Sequence, residues 1–308
     1  MASGSKVLRS MDIQSLHIFK VVAEHGSITK AAKELNYAQS NITTRMQQLE
    51  SSLQTVLFYR HNKGITLTTK GDLLLTYTDK IFRLFEETRQ VMRDEEEPQG
   101  PLSIGSMEST AAVHLPMFIL RYHSTCPKVD LTLKTGPTAQ HIEEVLNYKL
   151  DGAFVSGPVQ HPNLVAKKIF REKLVLVSSL LSSYPLELEN IGNLTLLVLH
   201  KGCSYRQKLE SWLHKEGIRP SKVMEFGSLD ALMGCVAAGL GVSLLPLSIV
   251  QKYSHLEEIT HYSLLEEFTL VDTFFIHRAD NTFSTPLLKF IELFQEEKSS
   301  ITCDEKRS

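Results

Sequence analysis

Between residues 26 and 53 the apolar positions repeat twice with a helical period, separated by a polar break. Ser27 suits an N-cap, and Ile28, Ala31, Ala32 and Leu35 fall on one face of the helix that follows. Asn36 and Tyr37 interrupt the pattern, Asn36 fitting a C-cap or turn. A second helix, with Ser40 as its cap, carries Ile42, Met46, Leu49 and Leu53 at i, i+4, i+7 and i+11. The spacing predicts two short helices joined by a tight turn. Upstream, residues 11–25 read as one amphipathic helix that buries Ile13, Leu16, Phe19, Val22 and Ala23. Downstream, β-branched residues alternate about Gly64 over residues 57–71, which predicts a small wing with Arg60, His61 and Lys63 at its bend.

Thr69 opens a long helix to about residue 93, with Leu74, Tyr77, Ile81, Leu84, Thr88 and Val91 in a 3-4-3-4-3 spacing. That spacing fits a dimerisation seam or a core helix of one domain. The four acids at 94–97, followed by Pro98, Gly100 and Pro101, read as a solvated hinge, which favours a seam covered by a second copy of the chain. From Leu102 onward strand and helix patterns alternate. Strands are expected at 102–107, 129–136, 151–157, 174–179, 194–200, 222–227, 241–246 and 268–278, and helices at 111–122, 138–150, 205–216, 229–238 and 285–297. This is an α/β region with a largely parallel sheet, long enough for two lobes. The runs 168–178 and 268–278 are long enough to carry the chain between lobes.

Composition sharpens the division. Residues 11–93 hold eleven Lys and Arg against eight Asp and Glu, whereas residues 94–308 hold twenty against twenty-seven. A basic front on an acidic body favours a nucleic-acid contact made by the front alone. Residues 1–10 read as a flexible leader outside the fold. No signal peptide is visible and no apolar run approaches the roughly 18 to 20 residues of a membrane span. The four cysteines are scattered without CxxC pairing, so the expected compartment is the cytoplasm. GxGxxG, P-loop, GxSxG and HExxH motifs are lacking, as is any HxH or HxxxH spacing among the twelve histidines, so no catalytic residue, metal or cofactor is assigned.

The outer face of the second short helix shows Asn41, Thr44, Arg45 and Gln48 and almost no acid, side chains suited to phosphates and base edges. A helix-turn-helix reading duplex DNA and an ordinary helical hairpin with a solvated face both fit this segment alone. The longer motif favours the first. LHIFKVVAEHGSITKAAKELNYAQSNITTRMQQLESSL followed by LFYRHNKGITLTTKGDLLL resembles LysR-type transcriptional regulators, and the resemblance runs over essentially the whole chain from Met11. Gln39 and Ser40 match the usual opening of the recognition helix, Arg60 and Lys63 the wing, and Leu67-Thr68 with Gly71 its close. Asn41 departs from the proline many members carry there, which bears on sequence preference. The resemblance implies a winged helix-turn-helix domain (11–68), a dimerising linker helix and hinge (69–97), and a two-lobed α/β domain like a periplasmic binding protein (98–308). The lobes are expected at about 101–170 with 277–300, and at about 171–276. It implies promoter DNA, a small-molecule effector, a homodimer or dimer-of-dimers tetramer, and RNA polymerase as a candidate partner. The candidate DNA contacts are Ser27, Thr29, Lys30, Gln39, Ser40, Asn41, Thr43, Thr44, Arg45, Gln48, Arg60 and Lys63.

Three helix starts, at 106–110, 136–138 and 203–206, qualify for the effector site, because helix N-termini at strand ends present free N–H groups. By resemblance Ser109 and Thr138 match first-lobe effector positions, with Ser106 and Thr110 in the same segment. Cys203, Ser204 and Arg206 are second-lobe candidates, and Ser228 lies on the hinge side. Hydroxyls with an arginine favour an anion, while Glu108 favours a ligand with a donor group. Ser109, Thr138 and Ser228 also fit plain helix caps. Cys203 matches the reactive cysteine of the family's peroxide sensors, but no second cysteine follows shortly after, so a structural thiol and a redox sensor both stay open. A solute-binding protein or enzyme built on the two-lobed part is the alternative from another class.

Overall fold

A computed structural model describes residues 11–61, 64–92, 97–179, 191–256, 259–264, 266–279 and 284–304. The chain divides into two compact units, residues 1–92 and 93–308.

In the first unit, α1 (Ile13–His25) begins where Asp12 accepts from the Ser15 amide at 2.6 Å, and ends at Gly26 with φ +57°. The helix α2 (Ile28–Glu34) is capped by Ser27, as its spacing predicts, and Asn36 turns the chain at φ +55°. The next helix, α3 (Gln39–Leu53), starts two residues earlier than a Ser40 cap would place it. Ala38 takes the cap position in extended backbone with no side-chain hydrogen bond, so Ser40 is a residue of the first turn rather than the cap. Ile18, Phe19, Val22, Ala31, Ile42, Met46 and Leu49 form one core among the three helices. Ile13, expected inside, is 45% exposed.

The wing is β1 (Phe58–His61) paired antiparallel with β2 (Gly64–Leu67). Three bonds tie it down: Glu50 of α3 accepts from the Leu57 and Phe58 amides at 2.8 and 3.3 Å, and the Ile65 amide donates to Gly26 O at 2.9 Å. A Cβ on Gly64 would sit 2.7 Å from that same Gly26 oxygen, so only glycine allows this approach. The long helix α4 (Thr69–Val91) follows, with Thr68 accepting from the Gly71 amide. Of the heptad positions, Leu74 packs on the core of this unit. Tyr77 and Leu84 are about half exposed, and so is Phe85 beside them, leaving an apolar stripe along α4 in a single copy of the chain.

The second unit runs β3 (Gly100–Ser106), α5 (Glu108–Val113), α6 (Leu115–Thr125), β4 (Val129–Thr135), α7 (Thr138–Leu146), β5 (Gly152–Ser156) and β6 (Leu164–Ser179). It continues with β7 (Thr195–Leu199), α8 (Ser204–Lys215), β8 (Lys222–Phe226), α9 (Leu229–Ala237), β9 (Ser243–Pro246), α10 (Leu247–Lys252), β10 (Ile259–Tyr262), α11 (Glu266–Thr269), β11 (Leu270–Arg278) and α12 (Thr285–Asp304). The helix expected over 111–122 is two helices broken at His114. Pro116, at the start of α6, lacks the N–H a continuous helix would use. The pattern missed β10, α10 and α11, all short.

The sheet is mixed rather than largely parallel. Among the described residues, β4-β3-β5 and β7-β8 are the parallel strand pairs, with one isolated parallel bridge between Leu196 and Val242, and β5-β11, β11-β6, β6-β10 and β6-β9 are antiparallel. The reason lies in β6 and β11, which pair along Leu164–Lys173 and Leu270–Arg278 and each contribute to two separate cores. One core holds Leu102, Phe118, Tyr122, Phe154, Ile169, Phe275 and Phe290; the other holds Leu174–Val177, Leu197, Leu209, Trp212, Leu232, Leu244 and Val271. Thus β6 leaves the first core after Phe170. The return strand β11 is back in it by Phe275, where the pattern alone put that residue with the second lobe.

In the first core the ring of Phe290 sits edge-on to Phe118 and Tyr122, at 4.8 and 5.1 Å between centroids. Phe290→Ala is therefore expected to destabilise this unit by about 3–5 kcal/mol, read as a lowered urea midpoint. A change below about 1 kcal/mol would mean the ring is not part of the core.

Candidate nucleic-acid interface and interlobe cleft

The first turn of α3 contains no acidic residue, and its cap leaves the leading N–H groups without a side-chain partner. Such a helix start accepts phosphate oxygens. Around it Thr29, Lys30, Gln39, Ser40, Asn41, Thr44 and Gln48 are exposed, and Arg60 is exposed on the wing. The two helices are linked by Thr29 Oγ1 donating to Gln39 Oε1 at 3.3 Å. Ser27 and Thr43 are half-buried and engaged locally, Ser27 as a cap and Thr43 on Gln39 O. Lys63 lies outside the described residues.

Arg45 is not a free side chain on the outer face. Its Nη1 donates to Ser15 Oγ at 3.4 Å and lies 3.6 Å from Asp12 Oδ2, so it is held against the start of α1. The Asp12 carboxyl lies below the usual carboxylate range, first because it accepts from the Ser15 amide and further because of Arg45. Tyr37, which the sequence reading treated only as a break in the pattern, shares one concave surface with Asn41, Thr44 and Arg45, and its hydroxyl accepts from Gln14 at 2.6 Å. An exposed aromatic in the turn was the available signal.

In the second unit a cleft lies between the lobes. Met107–Ser109 and Gly136–Thr138 line it from the first lobe, and Leu199, His200 and Cys203–Tyr205 from the second. Of the residues predicted from sequence, Ser109, Thr138, Cys203 and Ser204 meet there, and Ser106, Thr110, Arg206 and Ser228 do not. Ser106 and Thr110 are fully buried, Ser106 donating to Met107 O at 3.0 Å. Ser228 is a helix cap that accepts from the Ala231 amide. The guanidinium of Arg206 is held by Glu210 at 2.8 Å and Glu225 at 2.7 Å, its Nη1 also donating to Leu199 O at 3.4 Å, and it does not line the cleft. The expected cation is therefore missing from the lining, which contains Glu108 and, among the described residues, no Lys or Arg. Thr138 lines the cleft while its Oγ1 accepts from the Ser156 amide at 3.0 Å.

Tyr205 was missed because its spacing with Leu209, Trp212 and Leu213 reads as an ordinary core stripe. Its ring is buried with them, yet its hydroxyl crosses the cleft to share a 2.7 Å hydrogen bond with Ser109 Oγ. Burial pushes the Tyr205 phenol far above its ordinary range. Burial likewise raises the Cys203 thiol, outweighing the Arg206 and Tyr205 amides that would lower it. The neutral thiol is thus the form at physiological pH, the opposite of what a peroxide-reactive cysteine requires.

Comparison with known proteins agrees with this two-part architecture. Residues 13–72 match the family model described as "Bacterial regulatory helix-turn-helix protein, lysR family", and residues 95–299 match "LysR substrate binding domain". A helix-turn-helix unit carried with a substrate-binding unit of this type defines a DNA-binding transcription regulator. The chain belongs to the LysR family. It is 49% identical to HTH-type transcriptional regulator GltR of Bacillus subtilis over 91% of this chain and 95% of that protein. It is 43% identical to HTH-type transcriptional regulator SoxR of an Arthrobacter species over 92% and 96%. Among solved structures, full-length CbnR complexed with its target DNA superposes with a TM-score of 0.67 at 22% identity, covering 93% of this chain and 99% of that one.

The raised pKa of Cys203 generates a prediction. Because the thiolate form is disfavoured below the raised value, hydrogen peroxide should leave operator affinity unchanged at pH 7 in a gel-shift titration. A peroxide-dependent shift that Cys203→Ser abolishes would reverse this assignment.

Proposed function

We propose that the protein is a cytoplasmic homodimeric regulator that reads duplex DNA through α3 and the wing, and that binds a small effector between its two lobes without chemical turnover. The observation that carries the reading is the start of α3, an uncapped helix N-terminus free of acid and surrounded by exposed Thr29, Lys30, Gln39, Ser40, Asn41, Thr44 and Gln48. Lys30, Arg60 and Lys63 serve the phosphates, while Asn41, Thr44 and Gln48 face base edges. Phosphate contacts make affinity fall with salt, and each good base contact contributes roughly 1–3 kcal/mol of discrimination. Arg45 acts from its seat against Asp12 and Ser15, which fixes its direction. The apolar stripe of α4, with Tyr77, Leu84 and Phe85 half exposed, is the surface proposed to pair two copies. No helix among the described residues is long and apolar enough to cross a membrane.

The effector is proposed to lie against Ser109, Thr138, Cys203 and Ser204, with Glu108 requiring a donor group on it. It can act on transcription only through different affinities for two arrangements of the regulator.

Operator duplex obtained by footprinting permits the test. Arg45→Ala should weaken specific binding at fixed salt and leave the dimer mass unchanged in light scattering. Lys30→Ala should weaken all duplexes alike and reduce the slope of log affinity against log salt by about one. Operator affinity unchanged in both variants would remove α2 and α3 from the interface.

A further inference from the structure

The cleft between the lobes is closed by the protein's own side chains. Its volume is about 30 Å³, room for one or two waters and about a tenth of the roughly 300 Å³ at which small-molecule pockets begin. The space between Gly202 of the second lobe and Pro137 of the first is about one methyl wide, since a Cβ added at Gly202 would lie 3.4 Å from the Pro137 ring. An effector therefore binds an opened form, and what holds the closed form determines how readily it enters.

The closing contacts come from one short stretch, residues 108–114. Glu108 Oε1 accepts from the Leu229 amide at the start of α9, at 3.0 Å. Ser109 Oγ shares its hydrogen bond with the Tyr205 hydroxyl of α8. Ala112 O accepts from Lys252 Nζ of α10 at 2.9 Å. His114 Nε2 lies 3.0 Å from Glu172 on the crossing strand β6, whose carboxylate Ser248 of α10 also contacts. The apolar side does the same work: Ala111 packs on the first-lobe core, while Ala112 and Val113 pack on the second. Chain order puts α5 in the first lobe, between β3 and α6, yet its polar contacts and two of its methyl-bearing side chains reach the second.

We infer that residues 108–114 are a clasp that holds the two lobes together, and that its cleft-facing end, Glu108 and Ser109, is what an effector must displace. The inference rests on the reading of this cleft as the effector site. Glu108 fills the first N–H of α9 with a carboxylate oxygen, so an incoming acceptor can take that amide only when Glu108 is drawn off by a donor. Ser109 and Tyr205 satisfy each other and are released together. The far end, Ala112 with Lys252 and His114 with Glu172, stays outside the cleft and resists opening without touching ligand. Occupancy of the cleft and separation of the lobes are thus one equilibrium.

Amide hydrogen exchange on the full-length protein, with neither effector nor DNA, tests the clasp separately from the effector reading. The reporter is the Leu229 amide, protected by Glu108; the control is the Leu197 amide, which donates to Val242 O at 2.8 Å inside the second lobe. Tyr205→Phe and Ser109→Ala each remove the same bond from opposite lobes, and Lys252→Met removes one far from the cleft. All three should speed exchange at Leu229 by roughly two- to tenfold, the range set by loss of one net hydrogen bond, with Leu197 unchanged. Unchanged Leu229 exchange overturns the clasp, and so does acceleration at Leu197 in the same proportion. A regulator whose cleft binds no metabolite in a thermal-shift screen, yet whose Leu229 responds as described, would retain the clasp and lose the effector reading.

Discussion

Two strands of this protein each belong to two hydrophobic cores. Residues of β6 pack first with Phe118 and Phe290 and then, from Leu174, with Leu209 and Trp212; β11 makes the same passage in reverse. A backbone ladder of antiparallel pairs joins them, with its register shift between Thr273 and Phe274. Arg171 and Lys168 also meet Asp272 beside this shift, at 2.6 and 2.8 Å, and hold its carboxyl far below the usual range. Lys168 and Arg171 are solvent-exposed and Asp272 is half-buried, so the ion pairs contribute little beside the ladder itself. The lobes are consequently joined where these two paired strands pass from one core to the other.

That tether dictates where control can be exerted. A cleft hinged at β6 and β11 opens unless something spans it, and only an element that leaves one lobe near the hinge can reach the other at short range. The break at His114, which Pro116 enforces, frees α5 from α6 to take that position. The same break puts Glu108 and Ser109 at the mouth of the cleft and His114 at the crossing strand, so ligand contact and hinge contact sit at opposite ends of a single helix of six residues.

Much of this was legible in the sequence, for a physical reason. Periodicity reports which face of an element is buried, and so α2, α3, the wing strands and most strands of the second unit could be read from spacing alone. The LysR motif added the order of the parts. What spacing cannot report is a partner distant in the chain. Tyr205 looked like one more core aromatic because nothing nearby reveals Ser109, 96 positions earlier. Sheet direction failed similarly, since an alternating strand and helix pattern implies parallel strands unless the long β6 and β11 are seen to pair with each other. Ile13 and Ser40 failed at helix starts, where a shift of one or two residues changes burial and capping roles.

The residues whose roles changed most share one feature. Arg45 and Arg206 looked available to an external anion, and like the α9 N-terminus each is engaged by the protein's own acid: Asp12 for Arg45, Glu210 with Glu225 for Arg206, and Glu108 for the α9 N-terminus. Half-buried charge and unpaired helix N–H groups are costly, so folding supplies internal partners wherever the chain can reach. The consequence differs with geometry. Both acids on Arg206 hold it outside the cleft, which removes it from the site. Asp12 holds Arg45 beside Asn41 and Thr44, which orients it without withdrawing it. Glu108 sits at the boundary itself, where ligand and protein compete for the same amide. Competition of that kind lowers affinity, but it is also what makes binding and conformational change the same event.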